Sequence, residues 1–130
     1  MKEEFERKII SKYRSMFPSE EIMSDETKSC LFWGFECGDG WETLLENLFE
    51  EISKANPPSE FKIAQIKSKF GGLRFYVDYD NEQIREIIRK YEDLSYNTCE
   101  YCGASPASQT GRSWIVTLCG DCHAKKESSH

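Results

Sequence analysis

The sequence predicts an α+β protein, with amphipathic helices packed on a β-hairpin and a small cysteine-bearing ribbon at the C-terminal end. Three observations carry this. Apolar residues recur at helical spacing in three separate segments, a Gly-Gly pair interrupts an alternating strand-like run, and the last third changes to Cys, Gly and Ser. With 130 residues the chain suits about one domain with a small appendage. We place the boundary at residues 1–97 for the α+β core and 98–130 for the ribbon-like module.

Phe5, Ile9, Tyr13 and Met16/Phe17 predict a first helix over residues 3–17, stopped by Pro18. Residues 19–29 are polar and read as a loop. Cys30-Leu-Phe-Trp-Gly-Phe-Glu-Cys37 is aromatic but short, which favours an extended segment. The strongest helix spans residues 40–55, where Trp41, Leu44, Leu45, Leu48, Phe49 and Ile52 line one face. Asp39 and Glu42 have the spacing of a capping box, and Asn56-Pro57-Pro58 ends the helix.

Residues 61–79 predict a hairpin turning at Gly71-Gly72, because both positions tolerate positive φ. That register pairs Phe70 with Leu73, Ser68 with Phe75, Ile66 with Val77 and Ala64 with Tyr79. One face is then apolar. The other carries Lys67 beside Tyr76 and Lys69 beside Arg74. Asp80 or Asn81 caps a last core helix over residues 81–95, with Ile84, Ile87, Ile88, Tyr91 and Leu94 on its inner face.

Cys99-Glu-Tyr-Cys102 and Cys119-Gly-Asp-Cys122 give the spacing C-x2-C-x16-C-x2-C. Each pair fits a tight knuckle, and four thiolates complete a tetrahedral shell with no open position, so the expected cofactor is one structural Zn2+. Iron in a rubredoxin-like site is the rival metal, since the spacing alone does not choose between them. A redox dithiol is disfavoured, as neither pair has strand-to-helix context. His123 is expected near the site without ligating, and His130 is expected in solvent. Ser113–Leu118 is strand-like and completes the ribbon.

Charge narrows the function classes. The chain holds 17 Lys and Arg against 23 Asp and Glu, a formal net charge of -6, which argues against a general duplex-DNA binder. From Glu20 to Glu60 there are 11 acidic residues and 2 basic ones, and an acidic lobe of this kind can imitate a nucleic-acid backbone. No apolar run reaches a membrane-spanning length and the charged N-terminal segment does not read as an export signal, so no membrane association and a cytoplasmic setting are expected.

Lys67, Lys69, Arg74 and Tyr76 form a candidate anion site, with Arg112 and Trp114 as further contacts on the ribbon. Solvation, or pairing with the Glu42–Glu51 helix, is the plainer account of these cations. Trp33, Asp39 and Trp41 are candidate partner contacts, although Trp33, Phe35 and Trp41 also suit a core. Cys30 and Cys37 lie among aromatics and read as buried reduced thiols.

Two resemblances add to this. Leu118-Cys-Gly-Asp-Cys-His-Ala-Lys125 with Cys99-Glu-Tyr-Cys102 resembles the zinc scaffold of HNH endonucleases, but residues 103–118 contain no histidine to act as base. Trp33-Gly-Phe-Glu-Cys-Gly-Asp-Gly-Trp41, Lys69-Phe-Gly-Gly-Leu-Arg-Phe-Tyr-Val77 and the closing knuckles together resemble a family of small proteins of bacteriophages, prophages and bacterial genomes. That resemblance supplies no catalytic residues. It implies a mobile-element setting, and with it a non-enzymatic zinc-stabilised module that binds a host protein and inhibits or adapts it, for example in host defence. A nucleic-acid or nucleotide binder using the basic hairpin face is the alternative.

Overall fold

A computed structural model describes residues 1–128, and the expectation for His130 lies outside them. The fold is α+β. Helix α1 (Glu3–Lys12) buries Phe5 and Ile9, then tightens into a 3-10 turn at Arg14–Met16. The predicted single helix to residue 17 is therefore two pieces, and Tyr13 between them leaves helical geometry with ψ 40. A short helix α2 (Glu20–Met23) occupies the expected loop, capped by Ser19 Oγ accepting from Ile22 N–H.

Cys30–Trp33 is not extended as expected. It forms a 3-10 turn, capped by Ser29 accepting from Leu31 N–H, and ends at Gly34 with φ 77. This turn buries Leu31 and turns Phe32 and Trp33 outward, so Trp33 is not the core residue its composition suggests.

Helix α3 (Glu42–Lys54) buries Leu44, Leu45, Leu48, Phe49 and Ile52, as the periodicity predicts. The capping box does not form. Asp39 opens a 3-10 turn (Asp39–Trp41), and its Oδ1 accepts from Lys2 N–H at 2.9 Å instead. Three acids on α3 are tied to cations: Glu46 to Lys8, Glu50 to Lys54 and Glu51 to Lys90. The cations that neutralise this helix are thus not those of the hairpin, so of the plainer account of Lys67, Lys69 and Arg74 the pairing with this helix does not occur.

Strands β1 (Lys62–Lys69) and β2 (Gly72–Asp78) form the expected antiparallel hairpin with a different turn. The last pair is Lys69 with Gly72, and Phe70-Gly71 makes the turn with φ 55 and 82. Gly72 is the first residue of β2 and lies under the Tyr96 ring, where only glycine fits; an added Cβ would stand 2.7 Å from Tyr96 Cε1, with Cζ and the hydroxyl also in contact. Phe70 takes the left-handed position and is exposed.

The corrected register pairs Ile66 with Phe75, Ser68 with Leu73, Lys67 with Arg74 and Gln65 with Tyr76. Each partner moves by two residues, so the faces survive and Lys67, Lys69, Arg74 and Tyr76 still share one side. A bulge between Ile63 and Gln65 resets the alternation, letting both Ile63 and Ile66 face the core. Tyr79, expected on the apolar face, lies beyond the ladder and is exposed.

Helix α4 (Glu82–Ser95) packs over β2 and α3, capped by Asn81 Oδ1 accepting from Ile84 N–H at 2.9 Å. The core formed by these elements centres on Trp41, Phe49, Phe75 and Ile84. Beyond it, β3 (Ser108–Thr110) pairs with β4 (Val116–Leu118), and α5 (Gly120–Ser128) ends the described chain. This C-terminal part has a separate small cluster of Cys99, Ala107, Val116, Leu118 and Cys119. No helix among the described residues is long and apolar enough to cross a membrane.

Candidate metal centre

The first knuckle follows α4 directly. Gly103 N–H donates to Cys99 O at 2.8 Å, and Cys99 N–H donates to Ala104 O at 2.8 Å. Gly103 sits at φ 84, which lets the chain double back after Cys102. The second knuckle is the first turn of α5, where Cys122 N–H points at Cys119 Sγ at 3.5 Å and His123 N–H donates to Cys119 O.

The four Sγ atoms of Cys99, Cys102, Cys119 and Cys122 all lie within 4.8 Å of one another, and Cys102 and Cys119 are 3.6 Å apart. A tetrahedron of sulfurs about 2.3 Å from a central ion has edges of about 3.8 Å, so the cluster has the size a metal ion requires. His123 is not part of this cluster.

The thiols cannot all ionise unaided. Burial opposes ionisation of Cys99, but backbone N–H groups of Cys119, Cys102 and Tyr101 outweigh it and bring that thiol down to about 6. Cys122 is pushed up to about 12, mainly by the adjacent Cys102 sulfur, and Cys102 is raised as well. One thiolate forms readily and its neighbours then resist. A cation at the centre would remove that resistance, and with only Ala107, Val116 and Leu118 buried between the knuckles the segment has little else to hold it.

Glu100, inside the first knuckle, is the residue sequence reasoning missed. It is 8% exposed, and its carboxylate accepts from Gly38 N–H and Ser68 Oγ–H, each at 3.0 Å. Burial raises its pKa. The backbone joins too: Gly40 N–H donates to Glu100 O at 2.8 Å and Trp41 Nε1–H donates to Thr98 O at 2.9 Å. On the far side, Thr117 Oγ1–H donates to Gly71 O at the hairpin turn. The Trp33–Trp41 segment, the hairpin tip and the first knuckle therefore meet in one seam. No local sequence signal marks Glu100, since a residue between knuckle cysteines usually faces solvent.

Trp41 is fully buried in this seam, which corrects its assignment as a partner contact. Asp39 is exposed and held by Lys2, and Trp33 is 62% exposed, stacked edge-on against Phe32 with ring centroids 4.9 Å apart. Lys67 faces Arg74 across the hairpin, Lys69 follows on the same face, and Tyr76 is half-exposed opposite Gln65. Arg74 donates to Leu73 O at 3.1 Å and lies near Glu92. Lys67 and Lys69 line a groove of about 670 Å3 with Phe70 and Trp114.

Cys37 is buried as expected, and burial with the nearby Glu100 charge pushes its thiol up to about 12, which keeps it protonated at neutral pH. Cys30 is exposed, contrary to expectation. No family model matches the chain, and neither a curated protein nor a solved structure matches it.

Proposed function

We propose that this protein is a zinc-stabilised, non-enzymatic interaction module, encoded by a phage or mobile element, that binds a host protein in the cytoplasm and inhibits or adapts it. The observation that carries the binding role is the Phe32–Trp33 pair. A 3-10 turn fixed by Ser29 and Gly34 presents two large aromatic rings at the surface, Trp33 62% and Phe32 41% exposed. Exposed Trp on a rigid turn is a common anchor of protein interfaces. Glu3, Glu4, Glu20 and Glu21 are exposed on the neighbouring helices, which favours a basic partner surface.

The metal centre supports a structural rather than catalytic role, because four sulfur ligands leave no position for a substrate or water. Zinc suits four thiolates at this spacing and a reducing compartment that keeps Cys30 and Cys37 as thiols. The test is capture from host lysate with wild-type and Trp33→Ala protein, followed by native mass spectrometry. A host protein bound stoichiometrically by wild type and lost with Trp33→Ala supports the reading. Equal capture by both refutes the anchor, and turnover of any substrate that needs the bound metal refutes the non-enzymatic assignment.

A further inference from the structure

A second surface stands apart from the Trp33 turn and has different chemistry. The groove between the hairpin tip and the β3–β4 loop is walled on one side by Lys67, Ser68, Lys69 and Phe70, and on the other by Ser113, Trp114 and Ile115. Phe70 is 65% and Trp114 78% exposed, so two aromatic faces border one open cleft. Lys67 and Lys69 have no ion-pair partner among the described residues, and Lys69 Nζ lies 5.6 Å from the Phe70 ring centroid.

We propose that this groove binds a short stretch of single-stranded nucleic acid, with bases stacked on Trp114 and Phe70 and phosphates against Lys67 and Lys69. Flat aromatic faces beside unpaired cations suit a ligand that alternates π-surfaces with negative charge. An apolar peptide would leave both ammonium groups without a counter-charge. A duplex would keep its bases stacked internally and unavailable to the two rings. Two carboxylates also line the groove and oppose phosphate: Glu100, whose oxygens are engaged by Gly38 and Ser68, and Glu36, which accepts from Gln65 Nε2 at 3.5 Å. They confine the phosphates to the lysine side and limit the site to few contacts.

The geometry of the Phe70-Gly71 turn gives the site its rigidity. Gly71 O is held by Thr117 of β4, so the hairpin tip bearing Phe70 is pinned to the strand that follows Trp114. The two walls of the groove are thereby fixed to each other, and stacking faces that do not need ordering lose less on binding.

The test uses the metal-loaded full chain and fluorescein-labelled decathymidylate, read by anisotropy. Neutralising two phosphates predicts a salt slope of about -1.4, or roughly sevenfold weaker binding between about 50 and 200 mM salt. Trp114→Ala is expected to weaken binding at least about fivefold, and Lys67→Glu with Lys69→Glu to abolish it, while Trp33→Ala leaves it unchanged. Circular dichroism and metal content confirm that each variant folds. Quenching of Trp114 fluorescence in the unmutated protein, absent in Trp114→Phe, gives the same readout without an alanine variant. Absence of binding by wild type, equal binding of duplex or of thymidine monophosphate, or no effect of Trp114→Ala would each overturn the proposal.

Discussion

Substituting Gly40 by Ala should break the seam between the helical body and the metal knuckle. A Cβ on Gly40 would stand 2.7 Å from Glu100 C and from Gly103 N, and would also press on Cys99 O. That is about 0.7 Å inside the 3.4 Å at which ordinary contact begins. All three neighbours are backbone atoms of the knuckle itself, so no side chain can swing aside. The knuckle must shift, and the 2.8 Å bond from Gly40 N–H to Glu100 O goes with it. Overpacking of this kind costs about 1–3 kcal/mol and a lost buried hydrogen bond about 1 more, for about 2–4 kcal/mol in total.

For a chain of this size that corresponds to a fall in Tm of roughly 6 to 14 °C. Because the strain falls on the backbone of the first knuckle, which carries Cys99 and Cys102, chelator competition should also show at least about tenfold weaker metal retention. Thermal melts with metal at fixed excess, and chelator titrations, measure both. Gly120→Ala is the control, since nothing lies within 4 Å of a Cβ there, and its stability should stay within about 0.5 kcal/mol of wild type. A Gly40→Ala protein that melts with wild type and keeps its metal would refute the reasoning.

The other expectations are independent of that contact. The Cys99→Ser, Cys119→Ser double variant should lose its metal and the protection of β3, β4 and α5 in hydrogen exchange while α1, α3 and α4 stay protected; uniform protection throughout would contradict it. Trp41→Phe removes the donor to Thr98 O and part of the buried ring, and should cost about 2–4 kcal/mol by urea denaturation. Tyr13 should titrate at about 12, because burial and the Glu50 carboxylate 2.9 Å away both resist its ionisation. The folded state holds that proton more tightly than the unfolded one, so its stabilising contribution is complete below about pH 10 and is lost as pH rises through 12. Ultraviolet titration of wild type against Tyr13→Phe reads this out, and a Tyr13 transition near 10 would sink it.

The parts of the fold that declare themselves in the sequence are those set by repeated apolar spacing. Helix α3 shows its buried face as Leu44, Leu45, Leu48, Phe49 and Ile52, and α4 shows its Asn81 cap and a face of Ile84, Ile88 and Tyr91, although Leu94, expected on that face, is exposed. The four metal-site cysteines are legible because knuckle spacing is a local constraint. What stays hidden depends on distant neighbours. The hairpin turns at Phe70-Gly71, and Gly72 is a glycine for packing rather than turning, since Tyr96, far along the chain, occupies the space above it. Asp39 leaves its capping position because Lys2 offers a donor.

Trp33 and Trp41 are alike in composition and neighbours, yet one is exposed and the other buried. The difference comes from Gly34 and the 3-10 turn on one side and from Thr98 on the other. Glu100 could not be read at all, since its two partners, Gly38 and Ser68, come from segments 62 and 32 residues away. The motifs Trp33–Trp41 and Lys69–Val77 make physical sense only together: each supplies glycines or carbonyls where the metal module closes on the body.

We propose that Cys99, Cys102, Cys119 and Cys122 hold one zinc ion in a closed shell of sulfur and so fix the C-terminal module. X-ray absorption at the zinc edge on the purified 130-residue chain tests it most directly. The account predicts one zinc per chain with four sulfur neighbours at about 2.3 Å and no lighter ligand. A nitrogen or oxygen neighbour at about 2.0 Å, or a chain that carries iron or no metal and melts identically after chelator treatment, would contradict it.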